Sequence, residues 1–186
     1  MAVADAFHVA VTQQPMDGGA PFDFGTKIEL EPGPAIYAPG AGAELSRLFP
    51  EGLTQHGKTY MTTTPADASA WSSWAIELFF EAVRFGEFDD RPSRMQSVFG
   101  FASVADAETF VGGFRAGQPC AIYRIQGEVA HRANMSLLQV NALPGAVPFG
   151  LARSYWLGEQ GPRPPLWELL LRPPVEFVEL VEPIVA

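Results

Sequence analysis

The sequence predicts a single α+β domain, on three observations. Runs of β-favouring residues gather in the second half while helical periodicity interrupts the first. An apolar fraction of 47% in 186 residues suffices for one sizeable core. No internal repeat divides the chain, so residues 1–186 read as one domain.

In chain order, "AFHVAVT" (6–12) reads as a strand, and Pro, Gly and Asp then force turns before a second at "TKIEL" (26–30). Gly and Pro punctuation between Gly33 and Gly57 leaves room for one short helix around Ala43–Phe49. The first third is therefore loop-rich, and loops such as 13–57 are where partner choice would lie. A long helix is expected over 65–85. Thr64 suits the N-cap, Pro65 the first position and Asp67 a capping acid, while Trp71, Trp74, Ala75, Leu78, Phe79 and Ala82 form a core-facing stripe. "SVFGF" (97–101) reads as a strand, and Ser103 with Asp106 caps a helix through Ala107, Phe110 and Val111 to Gly112-Gly113. "CAIYRIQGEVA" and "NMSLLQV" read as two strands, and "GLARSYWLG" as a helix stopped by Gly158. "ELLLRPPVEFVELV" is a final strand or pair, its ladder broken at Pro173-Pro174.

The balance of 12 Lys+Arg against 21 Asp+Glu, a net charge of −9, repels phosphate backbones and anionic lipid, so nucleic acid and membrane surfaces are poor partners. Cys120 is the single cysteine and reads as a buried thiol. No basic start leads into an apolar stretch and no window approaches about 18 uninterrupted apolar residues, so the expected location is cytoplasmic.

His8, His56 and His131 share no metal-ligand spacing, so no metal site is expected, and the usual nucleophile, P-loop and dinucleotide motifs are absent. What remains is dispersed: His8, the set Arg91, Ser93, Arg94 and Ser97, and Glu168 at the head of a leucine run. A carboxylate there is either a solvated strand end or a group facing a site. Arg91 and Arg94 read either as phosphate ligands or as surface ion pairs with Asp89 or Asp90. His8 also reads as a structural histidine.

"ELLLRPPVEFVEL" resembles the last motif of the ADP-ribosyltransferase superfamily, in which a glutamate opens an aliphatic strand, and "AFHVAV" resembles the first-strand histidine motif of its His-Tyr-Glu subgroup. "SVFGFASVADAETF" is similar to the second motif, and "RPSRMQSVFGFASVADAETF" to a signature of uncharacterised bacterial proteins associated with the same fold. The resemblance implies a split, strongly bent pair of small β-sheets flanked by helices. It implies NAD as substrate, Glu168 as the catalytic glutamate, His8 on a ribose hydroxyl and Phe99 at the tyrosine position. Phe99 stacks on nicotinamide without offering a hydroxyl, and Tyr60 is the alternative for the aromatic role. Arg94 or Arg91 would hold the pyrophosphate, with Ser97 beside them. Leu166 stands where arginine-modifying members carry an acid. A carboxylate at that strand end would stabilise the oxocarbenium-like state formed as nicotinamide leaves. The implied activity is mono-ADP-ribosyl transfer to an unknown acceptor, protein before nucleic acid, or NAD glycohydrolysis. The alternative is a non-catalytic module that binds NAD or protein on the same fold.

Overall fold

The computed structural model describes residues 3–11, 23–33, 40–141 and 143–184. Part of the expected partner-choosing stretch 13–57, residues 13–22 and 34–39, lies outside them. The elements are β1 (Val3–Val11), β2 (Lys27–Ile28), α1 (Ala41–Leu48), α2 (Gln55–Thr62), α3 (Ala68–Glu87), β3 (Val98–Gly100), α4 (Val104–Phe114), β4 (Cys120–Asn134), α5 (Ala146–Leu157) and β5 (Trp167–Ile184). The class is α+β: one five-stranded antiparallel sheet, ordered β1-β4-β5-β2 with β3 also on β5, and helices around it. No helix among the described residues is long and apolar enough to cross a membrane.

The strands form one sheet rather than two because β4 runs beside both halves of β5. The prolines, which cannot donate to the ladder on that stretch, fall where the register jumps from Glu128↔Arg172 to Gln126↔Glu176. The sheet also curls. Phe101, just after β3, exchanges backbone hydrogen bonds of 2.8 Å with Phe7 of β1, so β3 links β5 back towards β1. Alternate residues of each strand thereby face one enclosed core, formed by Ala6, Ala121, Tyr123, Ile125, Leu171, Val175 and Phe177. That interior is tight: a Cβ on Gly127 would sit 2.9 Å from Val175 Cγ2.

Helices α3 and α5 cover the opposite face, where Phe80, Val83, Ala152, Tyr155 and Trp156 pack on Ala133 and Leu170. Gly158 ends α5 in the left-handed conformation (φ 73°), as its position foretells. Ser103 caps α4, accepting from the Asp106 N–H at 3.2 Å, and the helix continues past Gly112-Gly113 to Phe114.

Three elements differ from expectation. The cap of α3 is Asp67, not Thr64; its carboxylate accepts the Ala70 N–H at 2.9 Å. The expected Trp71, Trp74 and Leu78 stripe is not the buried one, since Trp71 is 52% exposed and the helix instead buries Glu77, Phe80, Glu81, Val83 and Arg84. "NMSLLQV" is no strand: β4 runs on to Asn134, whose Oδ1 accepts the Ser136 and Leu166 N–H groups at 3.0 Å and turns the chain into a short 3₁₀ helix.

Helix α2 replaces an expected loop. Thr54 Oγ1 donates to the Met95 carbonyl at 3.1 Å and accepts the Gly57 N–H at 3.4 Å. Gly57 lets α2 lie directly on that segment, since a Cβ would stand 2.1 Å from the Met95 carbonyl oxygen. Gly57→Ala is therefore expected to cost about 1–3 kcal/mol as overpacking against rigid backbone. Gly112→Ala, whose Cβ meets nothing within 4 Å, should instead stabilise by up to about 1 kcal/mol. Urea midpoints of the two variants check the contrast; equal midpoints would refute the close approach.

Candidate functional site

Glu168 enters β5 opposite Ala133, and strand alternation puts it with Leu170 on the helix-covered face while Leu169 and Leu171 face the enclosed core. It is only 4% exposed. The partner that makes this burial tolerable is Arg94, in the 3₁₀ turn before β3, itself 3% exposed. Arg94 Nε and Nη2 grip Glu77 bidentately at 2.7 and 2.8 Å, and Nη1 donates to Glu168 Oε1 at 2.8 Å and to the Tyr155 hydroxyl. Tyr155 Oη in turn donates to Glu168 Oε1 at 2.8 Å. The guanidinium lies over the Phe99 ring, 4.6 Å from its centroid.

The network extends along α3. Glu81 accepts the Arg94 backbone N–H at 3.2 Å and Arg84 Nε at 2.9 Å. His56 Nε2 stands 3.2 Å from Glu77 Oε2, its ring 4.7 Å from both Tyr60 and Phe99. Burial pushes the Glu77 carboxyl up, but Arg94 and His56 outweigh it and hold the group well below its ordinary value. For Arg94, burial works against the charge, yet Glu168 and Glu77 raise its pKa further above the usual range. Burial, with Glu168 beside it, raises Tyr155 well above the ordinary phenol, so it remains a donor. Chemically, this is a buried, internally hydrogen-bonded polar centre joining α3, α5, β5 and the 3₁₀ turn.

Of the residues singled out in the sequence, Arg94, Phe99 and Glu168 meet here, with Tyr60 at the edge through His56. Glu168 is not a solvated strand end, and Arg94 is not a surface partner of Asp89 or Asp90; it is Arg91 that lies near Asp90, at a loose 3.9 Å with no hydrogen bond. The Arg94 fork is filled by carboxylates, so it does not stand open for a pyrophosphate. His8 points the other way, into the enclosed core, edge-on to Phe177 with ring centroids 5.7 Å apart and Nδ1 2.7 Å from the Phe99 carbonyl oxygen. Burial lowers its pKa. Ser97 is 1% exposed and donates to the Ser93 carbonyl at 2.7 Å, a backbone tie. Ser97 lines a cleft that has neither His8 nor Glu168 in its lining.

Glu77, Glu81 and Arg84 escaped sequence reasoning, in which His56 figures only as lacking a metal-ligand spacing and Tyr155 only as part of the helix over 150–158. The available signal was Glu77, Glu81 and Arg84 spaced i, i+4 and i+7 along an otherwise apolar helix, which places them on one face.

A cleft of about 460 Å³ opens beside this centre, where Arg84, Arg91 and Arg172 share the lining with Glu51, Asp89 and Asp90. Among the described residues no group of three His, Cys, Asp or Glu side chains could hold a metal.

No curated protein matches the chain. The match that does emerge covers the cluster and most of the cleft but leaves out His8 and β1. Residues 51–183 match a family described as a protein of unknown function (DUF2441), and the chain belongs to that family.

Proposed function

We propose that the chain is a binding module on an ADP-ribosyltransferase-like plan, with NAD the first ligand to test, and that Glu168 is a structural centre rather than the acid that acts on ribose. One observation carries the reading: Glu168 Oε1 already accepts from both Arg94 and Tyr155, in a site 4% exposed. With Oε1 spent on these two donors and the side chain 5% exposed, only Oε2 is left to meet a ribose hydroxyl, and transfer needs the carboxylate's field at the reacting carbon. Phe99 supports the same conclusion, since its ring is spent on the Arg94 guanidinium and carries no hydroxyl.

The transferase reading keeps one feature in its favour. Glu168 opens the last strand after the loop 158–166, in the motif order that the resemblance implies. Nicotinamide release from NAD and thermal midpoint separate the two. The module reading expects no release from the wild type. It also expects Glu168→Gln to cost about 1.5–3 kcal/mol, because charge-assisted bonds inside the fold are weakened. The transferase reading expects release that Glu168→Gln abolishes at an unchanged midpoint, and that result would reverse the assignment.

A further inference from the structure

We infer that the cleft beside the 3₁₀ turn is a binding site for a small zwitterion, its oxyanion held by Arg84 and Arg91 and its cationic group by Glu51, Asp89 and Asp90. The inference rests on the reading of the chain as a binding module and adds the place and the ligand class.

Two guanidinium groups argue for an oxyanion. Arg84 is 7% exposed; Nε is taken by Glu81 at 2.9 Å and Nη1 by the Arg91 carbonyl at 3.1 Å, and Nη2 makes no hydrogen bond among the described residues. Arg91 Nε is buried and without a hydrogen-bond partner among the described residues, and its nearest carboxylate, Asp90, stands at 3.9 Å, beyond bonding reach. The buried Arg91 Nε is costly to leave unpaired unless an acceptor arrives, and the cleft that both arginines line is where it would come from. A guanidinium edge fits a carboxylate or a phosphate equally, so the shared chemistry is a planar or tetrahedral oxyanion.

The cleft is built to stay as it is. Ser93 Oγ accepts the Met95 N–H at 3.1 Å and Gln96 Nε2 donates to the Gly52 carbonyl at 2.9 Å, so these lining groups are tied to backbone before any ligand binds. Its volume of about 460 Å³ lies within the ordinary range for small-molecule sites.

The acids argue for a second charge on the ligand. Glu51, Asp89 and Asp90 line the same cleft in a chain of net charge −9, so a bare polyanion is repelled as it enters. A ligand that carries its own cation meets both sets of groups at once.

Calorimetric titration of the whole chain at low salt tests this with three probes: phosphoethanolamine, which carries both charges, inorganic phosphate, and ethanolamine. Phosphoethanolamine is expected to bind at least tenfold more tightly than phosphate, and ethanolamine not measurably. Arg91→Gln, on a partly exposed side chain, should weaken phosphoethanolamine at least tenfold with the thermal midpoint unchanged. Asp90→Asn should shrink its advantage over phosphate. Absent phosphoethanolamine binding, equal binding of the first two probes, or an unaffected Arg91→Gln variant would each overturn the inference. Those outcomes leave Glu168 as a structural residue, whereas nicotinamide release would overturn the module reading and leave the titration standing.

Discussion

Arg94→Ala is expected to lower the unfolding free energy by about 3–5 kcal/mol, the cost of leaving buried charge without its partner. The substitution removes one side chain and takes the guanidinium from three groups: Glu77 on α3, Glu168 on β5 and the Tyr155 hydroxyl on α5, leaving the two carboxylates without their cation. Glu77 and Glu168 have side chains only 8% and 5% exposed, so water compensates little. Arg94→Lys should fall between, because an ammonium keeps the charge but cannot grip Glu77 with two parallel bonds while reaching Glu168. The exposed Arg47–Glu44 pair supplies the control, and Arg47→Ala should leave the midpoint where it is. The effect carries a pH signature. Glu77 has a folded pKa below its ordinary value of 4.5, so its contribution is fully present above that value and is lost as pH falls below it. Arg94→Ala should therefore flatten the acid limb of the stability profile as well as lower its plateau. A loss under about 1 kcal/mol in urea unfolding would mean that Arg94 exchanges its carboxylates for solvent at little cost, and would reopen the phosphate role.

The oddity of Glu168 was legible in the sequence; its resolution was not. Apolar neighbours oppose the ionisation of a carboxylate, so an acid heading a leucine run demands a special partner, and composition supplies no way to choose among the arginines. The partner lies 74 residues away, brought in by a 3₁₀ turn rather than by local spacing. Elements fixed by short-range chemistry were legible: the Ser103 cap, the Gly158 stop and the break in ladder register at the prolines of β5, a strand that itself runs on through them, each act within a few residues. Elements fixed by contact across the fold were not. Helix α3 has an apolar stripe through Trp71, Trp74 and Leu78, yet the adjacent stripe of Glu77, Glu81 and Arg84 turns inward because Arg94 waits there. His8 shows the same limit for strands. Its face depends on how register shifts in β4 and β5 divide the sheet between an enclosed core and a helix-covered side, which no single strand records.

Trp156→Ala is the second large effect, expected at about 3–5 kcal/mol as for other large aromatic truncations in cores. The residue is fully buried at the centre of the helix-covered face, stacked on His131 with ring centroids 5.8 Å apart and edge-on to Tyr155 at 4.9 Å. Its Nε1 donates to the Phe80 carbonyl at 2.9 Å, tying α5 to α3. Alanine would leave a cavity that the surrounding sheet and helices cannot close, because Leu170, Ala133 and Phe80 are held on three different elements. Trp74, half-buried, donating to the Tyr60 carbonyl at 2.9 Å and edge-on to the exposed Trp71 at 5.2 Å, should cost less than half as much, and Trp71, at 52% exposure, less than about 1 kcal/mol. Urea unfolding followed by far-ultraviolet circular dichroism ranks the three, and a larger loss at Trp74 than at Trp156 would overturn the packing. The substitution also reports on the polar centre, since the helix that Trp156 anchors carries Tyr155 to Glu168. If that anchoring holds the hydroxyl in place, Trp156→Ala and Tyr155→Phe will couple by at least about 0.5 kcal/mol in a double-mutant cycle, whereas independent sites would add within that margin.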